Sequence, residues 1–169
     1  MKLRKLQMKD APLMLEWMHD EDVCEFMKAN FASKALTDCE NFIRHSLEST
    51  TELHMAVVND ADEYMGTVSL KNIDTENGEA EFAITMRRAA MGKGYSAFGM
   101  RAIIRLGLTE MHLKRVLWCV LKINIRANRF YDKNMYPKME SVPEKYKKLY
   151  PEWEQMNWYY ADIKVIKEA

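Results

Sequence analysis

The 169-residue chain is short of cysteine, and its three, Cys24, Cys39 and Cys119, cannot all be paired. Their spacing is wide and no Cys-x-x-Cys or Cys/His cluster occurs, which argues against a zinc site or a disulfide scaffold. They read as free thiols in a reducing compartment. Net charge is lacking too, since 25 Lys and Arg face 25 Asp and Glu. A broad nucleic-acid surface needs a basic excess, so no nucleic-acid partner is expected, although a local cluster for a phosphorylated ligand stays open. No apolar run is long enough for a bilayer, and Met1-Lys2-Leu3-Arg4 does not lead into the apolar stretch of an export signal. The expected setting is the cytoplasm, with no membrane partner. What remains is 48% hydrophobic and 30% charged residues, the balance of one globular domain over 1–169.

The first fifty residues read as a strand and short helices. Leu3 to Gln7 alternates. Asp10 is a candidate cap for a helix with Pro12 in its first turn. A second helix is expected over about Asp22–Ala29, and a third from the Thr37/Glu40 capping box, with Phe42, Ile43 and Leu47 on one face. The middle is strand-like. His54–Val58 and Tyr64–Leu70 flank the turn Asn59–Asp62, and Glu79–Met86 follows the turn Asn77-Gly78. A helix to about Glu110 and the apolar run Val116–Leu121 come next. Strand, turn, helix, strand is a βαβ unit, so the strands at Glu79 and Val116 should be parallel. Asn124–Lys133 reads as a helix, Ser141–Gln155 as a loop and Asn157–Ile166 as a closing strand. Fourteen methionines read as core filler, Met14 and Met18 included.

Glycine is scarce, six in all, so two of them in Gly92-Lys93-Gly94-Tyr95-Ser96 before a helix carry weight. Glycines let a backbone approach a ligand closely and turn N–H groups toward one point. The free N–H groups and dipole of a helix N-terminus then favour an anion. Lys93 adds charge, and Arg87 and Arg88 lie just upstream. The segment matches neither GxxxxGK[ST] nor GxGxxG; taken alone it is a weak anion-site signal.

Three segments together resemble the GNAT superfamily of acetyl-CoA-dependent N-acetyltransferases, in its ribosomal-protein and spermidine acetyltransferase branch. Ala80-Glu81-Phe82-Ala83-Ile84 is similar to the family's fourth strand. Gly92-Lys93-Gly94-Tyr95-Ser96-Ala97 is similar to its pyrophosphate loop. Asn124 to Lys133 is similar to its Asn-x-x-Ala-x-x-x-Tyr helix. The resemblance implies an α/β (α+β) GNAT fold. That is a mixed, mostly antiparallel sheet of six to seven strands with helices on both faces and one splayed parallel pair. Met91 and Ser96 depart from the family's loop ends. Lys133-Asn134-Met135-Tyr136 replaces its Lys-x-Gly-Phe, and Pro143 to Gln155 is long for the simplest members.

The resemblance also implies roles. Acetyl-CoA is the co-substrate, and no metal is required. Ile84, Thr85 and Met86 would offer backbone groups to the pantetheine, and an N–H there would hold the oxyanion. Gly92, Lys93, Gly94, Tyr95, Ser96 and Ala97 would take the pyrophosphate, with Asn124, Asn128 and Lys133 on the second helix. Asn124 is also a plain helix cap. Tyr131 would protonate the departing thiolate. Glu81 is the candidate base, and His54 reads as structural. The expected acceptor is a small amine, with a nucleotide-linked amino sugar as leading example. Aromatic residues at Trp17, Phe26, Phe31, Tyr146, Tyr150, Trp153, Trp158 and Tyr159 and the lysines at 145, 147 and 148 are candidates to contact it. Protein N-termini and polyamines are the alternatives within the enzyme class; a non-catalytic acyl-CoA sensor is the alternative outside it. The family also suggests a homodimer.

Overall fold

Six apolar-alternating segments become six strands, and their order across the sheet follows the chain. The computed structural model describes residues 1–168, with side chains described through Ile166. The strands are β1 (Lys2–Lys5), β2 (Leu53–Val58), β3 (Tyr64–Asp74), β4 (Glu79–Met86), β5 (Arg115–Leu121) and β6 (Met156–Ala161), in the order β1-β2-β3-β4-β5-β6. Each neighbouring pair is antiparallel except β4 with β5. A parallel pair needs a crossover, which α4 (Tyr95–Thr109) supplies.

The pleat sends alternate side chains to opposite faces, so each face has its own core. On one face Val57, Val68, Leu70, Phe82, Trp118 and Tyr159 cluster with Met100, Ile103 and Ile104 of α4 and with Tyr131 of α5 (Ile125–Lys133). α7 (Ile163–Glu168) packs partly buried Val165 and Ile166 there as well. On the other face Ala56, Val58 and Tyr64 pack against Met14, Trp17 and Met18 of α1 (Ala11–Met18) and Cys39 and Ile43 of α3 (Leu36–Glu48). Further along that face Leu117 and Trp158 pack against Tyr146 of α6 (Glu144–Leu149). Met14 and Met18 are thus core, as their spacing predicts.

The structure corrects several local expectations. Asp10 does not cap α1 with its side chain. Its carboxylate instead takes the Arg4 guanidinium at 2.7 and 2.8 Å and the Gln7 N–H at 2.9 Å. The second helix is one turn, α2 (Glu21–Cys24), capped by Asp20 through the N–H groups of Asp22 and Val23. α3 begins at Leu36, before Thr37, because Asp38 reaches back to the Ala35 N–H at 2.8 Å. The expected loop 141–155 contains α6, stabilised by burial of Tyr146 against Trp158. The last strand stops at Ala161 because Asp162 accepts the N–H groups of Lys164 and Val165 and starts α7.

α4 lies close on the sheet because it presents a hydrogen atom at Gly99. A Cβ there would stand 2.6 Å from Val57 Cγ2 and 3.0 Å from Val68 Cγ1. Both neighbours are stiff β-branched side chains with little room to yield. Gly99→Ala should therefore lower stability by about 1–3 kcal/mol through overpacking, despite alanine's better helix propensity, read as a lower urea midpoint at unchanged m.

Candidate active site

β4 and β5 pair over only three positions: Glu79 with Arg115, Ala80 with Val116 and Glu81 with Leu117. Beyond them β4 runs on to Met86 still paired with β3, and β5 runs on to Leu121 still paired with β6. The two inner edges therefore come apart over Phe82–Met86 and Trp118–Leu121. An edge-to-face contact of Phe82 with Trp118, centroids 5.6 Å apart, stands where pairing ends. Ile84, Thr85 and Met86 lie along the freed edge; Ile84 and Met86 turn their N–H and C=O groups to it, while those of Thr85 face Thr67 of β3, in step with the Arg87 N–H to Met65 O bond at 2.9 Å.

The chain leaving this gap enters the glycine turn. Gly92 and Gly94 have φ of 74° and 84°, a region that L side chains rarely adopt, and a Cβ on Gly92 would meet nothing within 4 Å. Gly94 is the N-cap of α4, and the first helical bond is Phe98 N–H to Gly94 O at 3.0 Å. The N–H groups of Gly92, Gly94, Tyr95, Ser96 and Ala97 thus meet no acceptor among the described residues. Aimed from a 15-residue helix, they suit a pyrophosphate. Arg87 and Arg88 are not free to assist. Arg87 is buried and bonded to Glu16, Glu63 and the Tyr64 carbonyl, and Arg88 pairs with Asp20 and Asp22. These pairs raise both guanidinium pKa values above the ordinary range. Lys93 remains exposed on the turn.

α5 lies on the α4 face beside the gap. Asn124 caps it, accepting the Ala127 N–H at 3.0 Å. Asn128 is placed differently from what the motif implies. Its amide donates to the carbonyls of Leu121 and Asn124 at 2.9 and 2.8 Å. Its oxygen accepts from Asn157 at 2.6 Å and from the Tyr159 hydroxyl at 3.3 Å. All of its polar capacity is used to clamp α5 onto the ends of β5 and β6, which leaves nothing for a ligand. Lys133 is exposed at the end of α5. Tyr131 is 7% exposed, packed on Trp118 and Tyr159 at 5.5 and 5.1 Å between centroids. Burial pushes its phenol pKa up. The same loss of water would raise the pKa of a thiol beside it, so the phenol stays a usable donor to a thiolate.

On the opposite face, the α1/α3 and α6 clusters leave a polar floor between them. Register and alternation place Thr67, Ser69 and Lys71 of β3 there beside Thr85, Ala83 and Glu81 of β4. Glu81 is 4% exposed and is no solvated strand residue. It accepts from Asn72 at 2.9 Å and from the Tyr150 hydroxyl, with Lys71 Nζ at 3.6 Å. Burial, with Glu81 nearby, pushes the Cys119 thiol on this face up to about 12. His54 is held by Ser69 and Glu52. Glu79 pairs with Arg115 and Lys145, and Lys147 pairs with Glu144. Trp17 and Tyr146 are core, while Phe31, Tyr150 and Trp153 are partly buried at the cleft. Sequence reading missed Asn72, Lys71 and Tyr150 as partners of Glu81. Only the Lys71–Glu81 pair left a trace, opposite charges facing each other once strand register is known. Among the described residues no cluster of three or more metal-ligand side chains occurs, and no helix is long and apolar enough to cross a membrane.

A splayed parallel pair with an anion-binding helix N-terminus at its mouth defines a class of proteins that seat a phosphate-bearing carrier and present its far end through the sheet. The acetyltransferase (GNAT) domain model matches residues 1–134, and the chain belongs to that family. It is 29% identical over 117 residues to an uncharacterized N-acetyltransferase p20 of Bacillus licheniformis. That match covers 68% of this chain and 66% of the relative, just under two thirds of its length. The fold is similar to that of a spermidine N-acetyltransferase from Vibrio cholerae solved with CoA and spermine, at TM-score 0.80 and 16% identity, covering 98% and 97% of the two chains. It is also similar to a GNAT-family acetyltransferase from Bacillus anthracis, at TM-score 0.74 and 20% identity, over 95% and 93%.

The Asn128 clamp is directly testable. Asn128→Ala strips partners from buried carbonyls and from Asn157 and should cost about 1–3 kcal/mol, measured by urea unfolding. Unchanged stability would mean that the clamp carries no strain-bearing role.

Proposed function

We propose that the protein is an acetyl-CoA-dependent N-acetyltransferase acting by direct attack of a primary amine on the thioester. The observation that carries this reading is the β4–β5 gap opening beside five unpaired N–H groups. Acetyl-CoA supplies the activated acetyl group. The backbone of Gly92 and Gly94–Ala97 holds the pyrophosphate, with Lys93 adding charge. Ile84 and Met86 bond the pantetheine amides, Thr85 keeps β4 on β3 between them, and an N–H of the freed edge stabilises the oxyanion. Asn124 and Asn128 hold α5 in place so that Tyr131 meets the sulfur, with Lys133 adding charge at the helix end. Tyr131 gives a proton to the departing thiolate, and Glu81 takes one from the amine. Cys119 keeps its proton at neutral pH, which favours direct attack over an acyl-cysteine route.

The acceptor proposed is a small monoamine, an amino sugar and its nucleotide-linked form being the leading example. Four carboxylates around the cleft already have a cation: Glu81 has Lys71, Glu79 has Arg115, Asp74 has Lys145, and Glu152 has Lys28. A polyamine needs several spare carboxylates, so the spermidine activity of the Vibrio cholerae relative is the second reading. The Lys28–Glu152 pair joins the segment after α2 to the segment after α6 and narrows the entry for a protein N-terminus.

Acetyl-CoA at a hundred times its dissociation constant should stabilise the protein by about 2.7 kcal/mol, read as a thermal shift. CoA release should then follow with glucosamine or a nucleotide-linked amino sugar. Faster release with spermidine would overturn the acceptor, and a thermal shift with no release from any amine would leave a sensor. Tyr131→Phe should lower kcat about 100-fold or more while acetyl-CoA binding is kept; wild-type turnover would remove Tyr131 from the chemistry.

A further inference from the structure

The acceptor face carries a second hydrogen-bonded chain, one row away from Glu81. Strand register puts His54 of β2, Ser69 of β3 and Ala83 of β4 side by side. His54 Nδ1 lies 2.7 Å from Ser69 Oγ, and His54 Nε2 lies 3.1 Å from Glu52 Oε2. A carboxylate accepts only, so it fixes the proton on Nε2 and leaves the Nδ1 lone pair for the Ser69 O–H. Phe42 of α3 stands edge-to-face on the imidazole at 4.7 Å between centroids and holds its plane. His54 is 7% exposed and Ser69 6%, whereas the Glu52 side chain is 34% exposed at the protein's edge. The chain thus runs from the floor of the cleft to solvent. At its inner end Ser69 keeps its oxygen lone pairs, and its neighbour on β4 is Ala83, whose methyl is small cover for a strand position.

Glu81, by contrast, already has a donor at each oxygen. Asn72 bonds Oε2, and Tyr150 bonds Oε1, with Lys71 beside it. A lone pair remains on Glu81, which can take the proton that the ammonium sheds before attack, while Ser69 has a free acceptor side and a base behind it for the proton the nitrogen loses on attack.

We propose that Ser69, backed by His54 and Glu52, is a proton relay for the acceptor amine. The attacking nitrogen gives one proton to Ser69 Oγ as the Ser69 hydroxyl proton passes to His54 Nδ1. The N–H bond breaks, an N–H bond forms on the imidazole, and serine is regenerated as a neutral hydroxyl. The imidazolium is balanced by Glu52 and returns its extra proton to water once product leaves. Ser69 is the catalytic residue; His54 and Glu52 are positioning residues that act through it. The relay rests on the proposed acetyltransferase reading.

The test compares wild type with Ser69→Ala, Ser69→Thr and His54→Gln in the full chain. CoA release is followed with glucosamine and with spermidine as probe amines. Acetyl-CoA thermal shift shows that each variant is folded and binds the donor. Ser69→Ala and His54→Gln should lower kcat about 100-fold at unchanged acetyl-CoA KM, and Ser69→Thr, which keeps the hydroxyl, should restore most of it. A folded, acetyl-CoA-binding Ser69→Ala or His54→Gln protein with wild-type kcat overturns the relay. If wild type acetylates neither amine, the acceptor reading has failed, and the relay is judged by imidazole nitrogen NMR. A proton on Nε2 with Nδ1 unprotonated, lost in Ser69→Ala or Glu52→Gln, supports it. The opposite tautomer in wild type overturns it.

Discussion

The site depends on where backbone pairing between β4 and β5 ends. Had the ladder continued past Glu81 and Leu117, the N–H and C=O groups of Ile84 and Met86 would be spent within the sheet, as those of Thr85 already are toward β3. It ends there while each strand keeps its outer partner. Phe82 and Trp118 stand immediately beyond the last paired residues. Asn128 then ties the far end of β5 to α5 and β6. The gap is held open by packing on one face and by hydrogen bonds at its rim, and it needs no strained backbone.

The same gap divides the chemistry between the two faces. Tyr131, α4 and α5 lie on one side; Glu81, Cys119, Ser69 and His54 lie on the other. A carrier seated on the first face would present its acyl group to the second, so in the proposed roles the donor-side acid and the amine-side bases would not compete for one position. Charge is divided similarly. Arg87 and Arg88, next to the glycine turn in sequence, are used to tie the end of β4 to α1, α2 and β3. Among the described residues, backbone N–H groups and Lys93 are what remain unpaired at the turn, an arrangement suited to a pyrophosphate that approaches main chain closely.

Much of this was legible from the sequence where the signal is local. Glycines before an amphipathic helix, the Asn124 cap and the apolar run of β5 each depend on a few adjacent residues, and they lie where local rules put them. Local rules failed where a distant partner competes. Asp10 prefers the Arg4 guanidinium to the helix it was expected to cap. The segment 141–155 carries turn-like prolines, yet its tyrosines find an apolar face on β5 and β6 and fold a helix onto it. Asn128 looks like a ligand residue in the motif and is instead bonded on all sides by the chain.

The sequence by itself determined the order of elements, the βαβ unit and hence the one parallel pair, the glycine turn before α4, and the identity of Tyr131 and Glu81 as candidates. These follow from periodicity, glycine placement and residue chemistry, which act over a few positions. Only the tertiary structure decided that Glu81 is enclosed by Tyr150, Asn72 and Lys71, that both arginines are occupied, and that Glu52, His54 and Ser69 form one chain. Each joins residues from different elements, and which side chains face one another across a sheet is set by register and by the layers packed on it. No single segment carries that information.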